Sequence, residues 1–175
     1  QDQWMATDFT RERILNADAT TVSVGHYEGG VYNNYWVLIF SYPENSHTED
    51  YRQEVLDLVN AQRAKYGLTA LEMGDDNLTA AAQTRAEEIA VVNSHVRPDG
   101  SKCFTVLKDY GVTDTPTGEN AAWGSVSPEE VVNAWMNSEG HRANILNPEA
   151  RKMSVGYYYN SNSTWGHQWI QIFTK

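Results

Sequence analysis

Apolar residues recur at helical spacing in the second half of the chain, each time between polar turn residues. One such segment carries Val55 and Val59 on a common face and can end at Gly67. A second begins at Asp75 or Asp76, and its inner face holds mainly small residues: Leu78, Ala81, Ala82, Ala86, Ile89 and Ala90. The alanines indicate that this helix packs closely against another element.

Two further helices are indicated by their local signals. The run Ser-Pro-Glu-Glu at 127–130 places a serine at the N-cap, a proline at the first helical position and a glutamate at the third. Residues 101–110 are typical of a short helix with Phe104 and Leu107 directed inward. Cys103 is expected to be buried in that helix.

Runs rich in β-branched and aromatic residues predict two β-hairpins, one at each end of the chain. The first joins strands at 21–27 and 35–40, and the second joins strands at 153–159 and 168–173. Residues 115–124 form a loop that leads to or contains a short strand. Helices flanking a small antiparallel sheet predict an α+β fold, arranged as a three-layer α/β/α sandwich.

Part of the C-terminal segment occurs twice in the chain. Residues 4–27 align without a gap to residues 135–158, at an offset of 131 (135 − 4). The identical positions in this alignment are Trp, Met, Arg, Ile, Leu, Asn, Ala, Ser, Val, Gly and Tyr. A match of this kind at a fixed offset indicates an internal repeat.

The repeat predicts the domain organisation. Residues 1–40 would be the C-terminal half of a degenerate copy, consisting of a helix end and a β-hairpin. Residues 41–48 would be a linker, and residues 49–175 the complete domain. The copy keeps packing residues but has Thr10 where the complete domain has His141, so it lacks candidate chemistry.

Charge and composition exclude several classes of protein. The formal net charge is −10 and the isoelectric point is about 4.8, which argues against binding nucleic acid or an anionic membrane surface. No apolar run reaches the roughly 18 residues that a transmembrane helix needs. Cys103 is the single cysteine, so no disulfide can form within the chain. The chain starts at Gln1, and we expect that a signal peptide has been removed.

Several motifs in residues 50–175, taken in order, resemble a known family. They are the segments at 55–63, 94–100, 118–120 (Gly-Glu-Asn), 135–146 (with Gly-His-Arg-Ala-Asn-Ile-Leu) and 169–173. Together they resemble a bacterial member of the CAP superfamily, the SCP-like extracellular domain of cysteine-rich secretory, antigen 5 and pathogenesis-related proteins. The resemblance implies an α/β/α sandwich, secretion, and a surface cleft lined by two histidines and two acidic residues. Clefts of this family are associated with divalent metals, lipids and sterols, without an agreed shared enzymatic activity.

The resemblance also implies which residues line the cleft. His95 matches the first histidine and Glu119 the acid of the Gly-Glu-Asn motif. Ser138 stands at the position of the second acid, with Glu139 beside it.

The second histidine of the cleft has two candidates. One is His141 in the Gly-His-Arg-Ala-Asn-Ile-Leu motif, and the other is His167. The run around His167 is one residue longer than the eukaryotic pattern. A one-residue shift in a strand reverses the side-chain face, so His167 would need a bulge to reach the cleft.

A divalent metal such as Zn²⁺ is the candidate cofactor, because neutral imidazole and carboxylate groups suit it. His95 and His141 would be its ligands, with His167 as the substitute for His141 and with Glu119 or Glu139 as the acid. The alternative is structural: His141 and Glu119 hydrogen-bond the backbone at helix ends, and His167 is a solvated loop residue.

Three functions remain open at this point, and the first is favoured. It is a secreted or cell-surface binding module for a small-molecule, lipid or cell-wall ligand. The second is a metal-assisted hydrolase with Glu119 as base, although neither Ser138 nor Cys103 lies in a nucleophile motif. The third is a structural repeat of a surface protein. The apolar half-repeat must be buried, and we expect a monomer in preference to a swapped dimer.

Overall fold

The computed structural model describes residues 2–6, 10–11, 14–15, 19, 21–41 and 48–175 of the chain. It divides the chain into two compact units, Gln1–Ser46 and His47–Lys175. Most of the predicted linker at 41–48 lies outside the described residues, as does much of the predicted helix end before residue 20. The two units are therefore described separately.

The first unit contains a short helix and a β-hairpin. Helix α1 spans Asp2–Met5, strand β1 spans Thr21–Glu28, and strand β2 spans Asn34–Ser41. The strands pair antiparallel along their whole length. The turn between them places Asn33 at a φ of 63°, in the left-handed region that asparagine tolerates better than most residues. The hairpin predicted from the sequence is present, one residue longer at each strand end near the turn.

Five helices cover the sheet of the second unit. They are α2 (Thr48–Lys65), α3 (Asp76–Val91), α4 (Val106–Asp109), α5 (Pro128–Met136) and α6 (Glu139–Ile145). The carboxylate of Asp75 accepts a hydrogen bond from the Leu78 amide at 2.9 Å and so caps α3. The Ser127 hydroxyl caps α5 by accepting from the Glu130 amide at 3.3 Å.

The short helix predicted at 101–110 is a 3₁₀ turn at Cys103–Thr105 followed by α4. Leu107 is buried there as expected. Cys103 differs from the expectation, because its side chain is only half-buried at the start of the turn.

The second unit is built on one four-stranded sheet. Its strands are β3 (Glu72–Met73), β4 (Pro116–Trp123), β5 (Lys152–Tyr159) and β6 (His167–Thr174), in the order β3-β5-β6-β4. The β4–β6 and β5–β6 pairs are antiparallel, whereas the two-residue β3 runs parallel to β5. The segment expected to be mainly loop at 115–124 is thus an eight-residue strand.

Helices cover both faces of this sheet. On one face, Trp169 and Phe173 pack in a cluster with residues of α2, α5 and α6. On the other face, Ile170 and Ile172 pack against the alanines of α3. Alternate residues of β6 thus enter separate cores, which confirms the predicted α+β three-layer sandwich. Among the described helices, none combines the length and the apolar character that crossing a bilayer requires.

The hairpins of the two units share their strand limits. The bounds of β1 become those of β5 on adding 131 (21 + 131 = 152), and the bounds of β2 become those of β6 on adding 133 (34 + 133 = 167). The cross-strand register is also the same after these shifts. The packing differs, because Val24 is 59% exposed and its counterpart Val155 is fully buried. The half-repeat stays a prediction that this shared geometry supports.

Candidate functional site

The candidate site lies where the end of α3, the middle of β4 and the start of α6 meet. His95 follows α3 in a loop whose conformation is fixed by its own backbone. The His95 carbonyl accepts a hydrogen bond from the Cys103 amide at 3.1 Å, and Val96 forms an antiparallel bridge with Lys102. The loop therefore presents His95 at a defined position.

Glu119 is the buried acid at the centre of the site. It is 6% exposed and lies in β4, on the sheet face that carries Ile170 and Ile172. This face packs against α3, so the carboxylate meets side chains from that helix.

Arg85 of α3 is the main partner of Glu119. Its Nε donates to Glu119 Oε2 at 3.0 Å and its Nη2 donates to Glu119 Oε1 at 3.3 Å. This two-point contact is the arrangement that arginine forms best with a carboxylate. Arg85 also donates to the Ser94 carbonyl at 3.1 Å, next to His95.

His95 completes this group, because its Nδ1 lies 2.7 Å from Glu119 Oε1. The hydrogen bond to Glu119 raises the pKa of His95 above its ordinary value of 6.5. Burial raises the pKa of Glu119, but the hydrogen bonds from His95 and Arg85 outweigh it and hold that pKa below its usual value. Glu119 is thus ionised at neutral pH, and His95 Nδ1 donates to it.

A chain of ion pairs continues from Arg85 along the end of α3. Arg85 donates to Glu88 at 2.6 Å, Arg97 donates to Glu88 at 2.9 Å, and Arg97 also donates to Asp109 at 2.7 Å. Sequence reasoning missed Arg85, which is fully buried. Its signal was present in the sequence, since Arg85 falls on the alanine face of α3 where a charged residue needs a buried partner.

Asparagine side chains join β4 to α6 beside Glu119. Asn144 donates to the Glu119 carbonyl at 3.2 Å and to the Asn120 side chain at 2.8 Å, and Asn120 donates to the His141 carbonyl at 3.1 Å. Gly118 is required by this close approach, because a Cβ there would lie 2.6 Å from Asn144 Oδ1. These bonds hold α6, and with it His141, against the strand that carries Glu119.

His141 is half-buried in α6, and its imidazole interacts electrostatically with that of His95. Burial lowers the pKa of His141, and positive charge on His95 lowers it further. Ser138 and Glu139 lie at the start of the same helix, where Ser138 is half-buried and Glu139 is exposed. Among the described residues, neither forms a hydrogen bond to His95 or Glu119.

His167 lies on the opposite face of the sheet from Glu119. It opens β6 on the face of Trp169, where its Nδ1 lies 2.8 Å from the Tyr157 hydroxyl and its ring packs on Tyr159. The β5–β6 register is continuous, and the irregularity in β4 lies at the far end, between Pro116 and Gly118. No bulge redirects His167 towards Glu119, whereas the charge of His95 does act on the pKa of His141.

Cys103 lies near the same carboxylate but is not an activated nucleophile. Burial, followed by the charge of Glu119, raises the pKa of its thiol to about 11. The thiol is therefore protonated at neutral pH, whereas a catalytic cysteine reacts as the thiolate.

Within the described part of the chain, no cluster of three or more His, Cys, Asp or Glu side chains is arranged to hold a metal ion. Both oxygens of Glu119 and the Nδ1 of His95 already have hydrogen-bond partners. In that part of the chain, the candidate groups without such a partner are the Nε2 of His95, the imidazole of His141 and the exposed carboxylate of Glu139. Such a site would need water or ligand atoms for its other positions.

Residues 56–173 match the model of the family described as CAP, Cysteine-rich secretory protein family. Protein YkwD of Bacillus subtilis (strain 168) is 41% identical over 127 residues, which are 71% of this chain and 49% of YkwD. The chain thus spans about half the length of this relative.

Two solved structures share the fold. An extracellular protein containing a SCP domain from Bacillus anthracis str. Ames has a TM-score of 0.66 at 25% identity, over 80% of this chain and 47% of that chain. An outer surface protein of Borrelia burgdorferi has a TM-score of 0.65 at 23% identity, over 75% of this chain and 96% of that chain.

Proposed function

This chain belongs to the CAP (cysteine-rich secretory protein) family, and on that basis we propose that it is a binding module that acts outside the cell and uses the cleft of His95, Glu119 and His141. One observation carries the proposal. The His95 imidazole is anchored through Nδ1 to the buried Glu119–Arg85 pair, while its side chain remains 54% exposed. A buried acid that fixes an exposed imidazole prepares that imidazole for contact with a ligand.

The hydrogen bonding defines what His95 offers. Because ionised Glu119 accepts from Nδ1, a neutral His95 carries its lone pair on the outer Nε2. The pKa of His141 is lowered, so this second imidazole is neutral at pH 7. Because the pKa of His95 is raised, its Nε2 is a free base only above that pKa; there the cleft offers two basic nitrogens, which suit a hydrogen-bond donor or a divalent metal ion.

The ligand belongs to one of the classes expected for the family: a small molecule, a lipid or a cell-wall component. A Zn²⁺ ion is the candidate cofactor that would join such a ligand to the protein. His95 and His141 would be its protein ligands, and Glu139 is the first residue of the short helix of His141, with Ser138 at its N-cap. With two imidazoles, the affinity for Zn²⁺ should be lower than that of structural sites with four protein ligands.

Calorimetry with Zn²⁺ at pH 7.5 and pH 5.5 tests the metal part of the proposal. We expect binding at pH 7.5 that weakens at pH 5.5, because protonated imidazole cannot coordinate a metal. His95→Ala and His141→Ala should lose this binding. His167→Ala is the matched control, since it removes a half-buried imidazole from the other face of the sheet. Absence of heat, or equal affinity at both pH values, would contradict histidine coordination.

A metal-assisted hydrolase is the second candidate, because a carboxylate–imidazole pair such as Glu119–His95 also supports general-base catalysis. The protonated thiol of Cys103 argues against cysteine as its nucleophile. Incubation of purified peptidoglycan and lipid vesicles with the wild-type protein and with His95→Ala distinguishes the two functions. Retention without released products supports the binding module, and product release that His95→Ala abolishes supports the hydrolase.

A further inference from the structure

A groove lies between the segment 102–108 and the loop 112–116 of the second unit. It encloses about 430 Å³ and is lined by residues of these two segments only. Pockets for small molecules fall in the range of roughly 300–1,000 Å³. None of the residues assigned to the His95 cleft lines this groove, so the proposed function does not account for it.

The walls of the groove are apolar and held in place. Phe104, Leu107, Val112 and Pro116 supply the apolar surface. Backbone hydrogen bonds fix both sides: the Val112 amide donates to the Leu107 carbonyl at 2.8 Å, and Thr115 and Lys175 exchange two bonds at 3.0 and 3.3 Å. The groove is therefore formed before any ligand enters, which lowers the entropic cost of binding.

Two lysines and one acid, Asp114, are the charged residues that line the groove. Lys102 and Lys108 line it, and neither ammonium group has an ion-pair or hydrogen-bond partner among the described residues. The acids nearby are already paired, since Asp114 binds Lys152 at 2.8 Å and Asp109 binds Arg97 at 2.7 Å. The lining thus carries one more positive than negative charge, whereas the formal net charge of the chain is −10.

We propose that this groove binds a small organic anion with an apolar body. The apolar body packs against Phe104, Val112 and Pro116, and the anionic group lies within reach of Lys102 and Lys108. An uncharged apolar compound would leave the lysines unused, and an apolar cation would be repelled by them. The site is separate from the His95 cleft, so it can be correct or wrong independently of the proposed function.

Monomeric straight-chain carboxylates are the probes, titrated by calorimetry into the full chain. Affinity should rise from octanoate to dodecanoate by about fourfold for each added methylene group, until the apolar surface of the groove is filled. Dodecyltrimethylammonium has the same tail with the opposite charge and should bind at least about tenfold more weakly than dodecanoate. Equal binding of the two amphiphiles, or no saturable binding of dodecanoate, would overturn the proposal.

Charge reversal locates the binding site. The double variant Lys102→Glu/Lys108→Glu should bind dodecanoate about tenfold more weakly or worse. Lys65→Glu is the control, because Lys65 lies in α2 and does not line the groove. Circular dichroism should show that both variants remain folded, and Zn²⁺ titration of the single variant Lys108→Glu, which leaves the Val96–Lys102 bridge beside His95 unchanged, should match the wild-type protein.

Two further results would contradict the proposal. Dodecanoate binding that the double variant retains would place the ligand elsewhere. Binding to anionic vesicles without binding to monomeric dodecanoate would make the lysines a membrane-contact surface instead.

Discussion

Replacing Arg85 by methionine should strongly destabilise the second unit. Arg85 is fully buried and forms hydrogen bonds to Glu119, Glu88 and the Ser94 carbonyl. Methionine fills much of the same volume, so the main effect is to leave the buried Glu119 charge without its two-point partner. Removing one member of a buried ion pair costs about 3–5 kcal/mol in the free energy of unfolding. The remaining hydrogen bond from His95 places the expected loss near the lower end of that range, at about 3 kcal/mol.

The loss of stability in Arg85→Met should become smaller as the pH falls. In the wild-type protein the pKa of Glu119 is lowered, so its stabilising effect is present above the unfolded pKa of about 4.3 and is lost as the pH falls through the folded pKa. In Arg85→Met, the hydrogen bonds and the charge of Arg85 no longer oppose the effect of burial, so the pKa of Glu119 rises. The carboxyl group then takes up a proton as the pH falls, and the difference in stability between variant and wild type should shrink.

Urea denaturation followed by near-UV circular dichroism at pH 7 and pH 5 measures both effects. Arg151→Met is the control, because Arg151 is exposed and bonds only backbone carbonyls nearby, so its loss should stay within about 0.5 kcal/mol. A loss below about 1 kcal/mol for Arg85→Met at pH 7 would refute the reasoning, because it would mean that Glu119 is hydrated or paired in another way.

The remaining predictions concern separate parts of the chain. In Glu119→Gln, NMR titration should show a lower pKa for His95 than in the wild type, because the bond that raises it has lost its charge; an unchanged pKa contradicts the pairing. Gly156→Ala should cost about 1–3 kcal/mol in urea denaturation, because its Cβ would lie 2.0 Å from the Ala82 carbonyl oxygen. The same change at the equivalent Gly25, where the nearest atom is 4.0 Å away, should have little effect; equal losses contradict this packing. Residues 47–175 expressed alone should fold, and a proton NMR spectrum without dispersed signals would refute it.

The elements with strong local signals were predictable from the sequence. The caps at Asp75 and Ser127 and the alternating runs of both hairpins lie where the pattern placed them. Strand β4 was only partly predicted, because proline, glycine, glutamate and asparagine have low strand propensity. It is held by pairing with β6 and by the Asn120 and Asn144 side chains, and both depend on residues distant in sequence. The two-residue β3 is too short to carry a pattern of its own.

Less of the candidate site than of the fold could be predicted from the sequence. The resemblance pointed to His95 and Glu119, but spacing could not show that they share a hydrogen bond, since they come from separate segments. Arg85 was missed because the alanine pattern of α3 was interpreted as packing alone. For His167 the argument from strand alternation placed the side chain away from Glu119, and the structure has that geometry because β6 carries no bulge there.

For the N-terminal hairpin, the strand pairing could be predicted from the sequence but the exposure of its apolar residues could not. The sequence predicts that it repeats part of the second unit, and its strand limits and register match those of β5 and β6. Residues such as Val24 and Trp36 are nevertheless exposed, at 59% and 55%. The geometry of the hairpin was predictable because its pairing is local, whereas the burial of the equivalent residues in the second unit depends on helices that are distant in sequence.

The most direct test of the proposed cleft is a Zn²⁺ titration followed by NMR of the histidine ring nitrogens. At pH 7.5 the account predicts that His95 carries its proton on Nδ1, and that Zn²⁺ shifts the ring signals of His95 and His141 together. The ring signals of His167 should stay in place, since it lies on the other face of the sheet. A neutral His95 in the free protein with its proton on Nε2 and none on Nδ1, or shifts at His167 without shifts at His95, would contradict the proposed cleft.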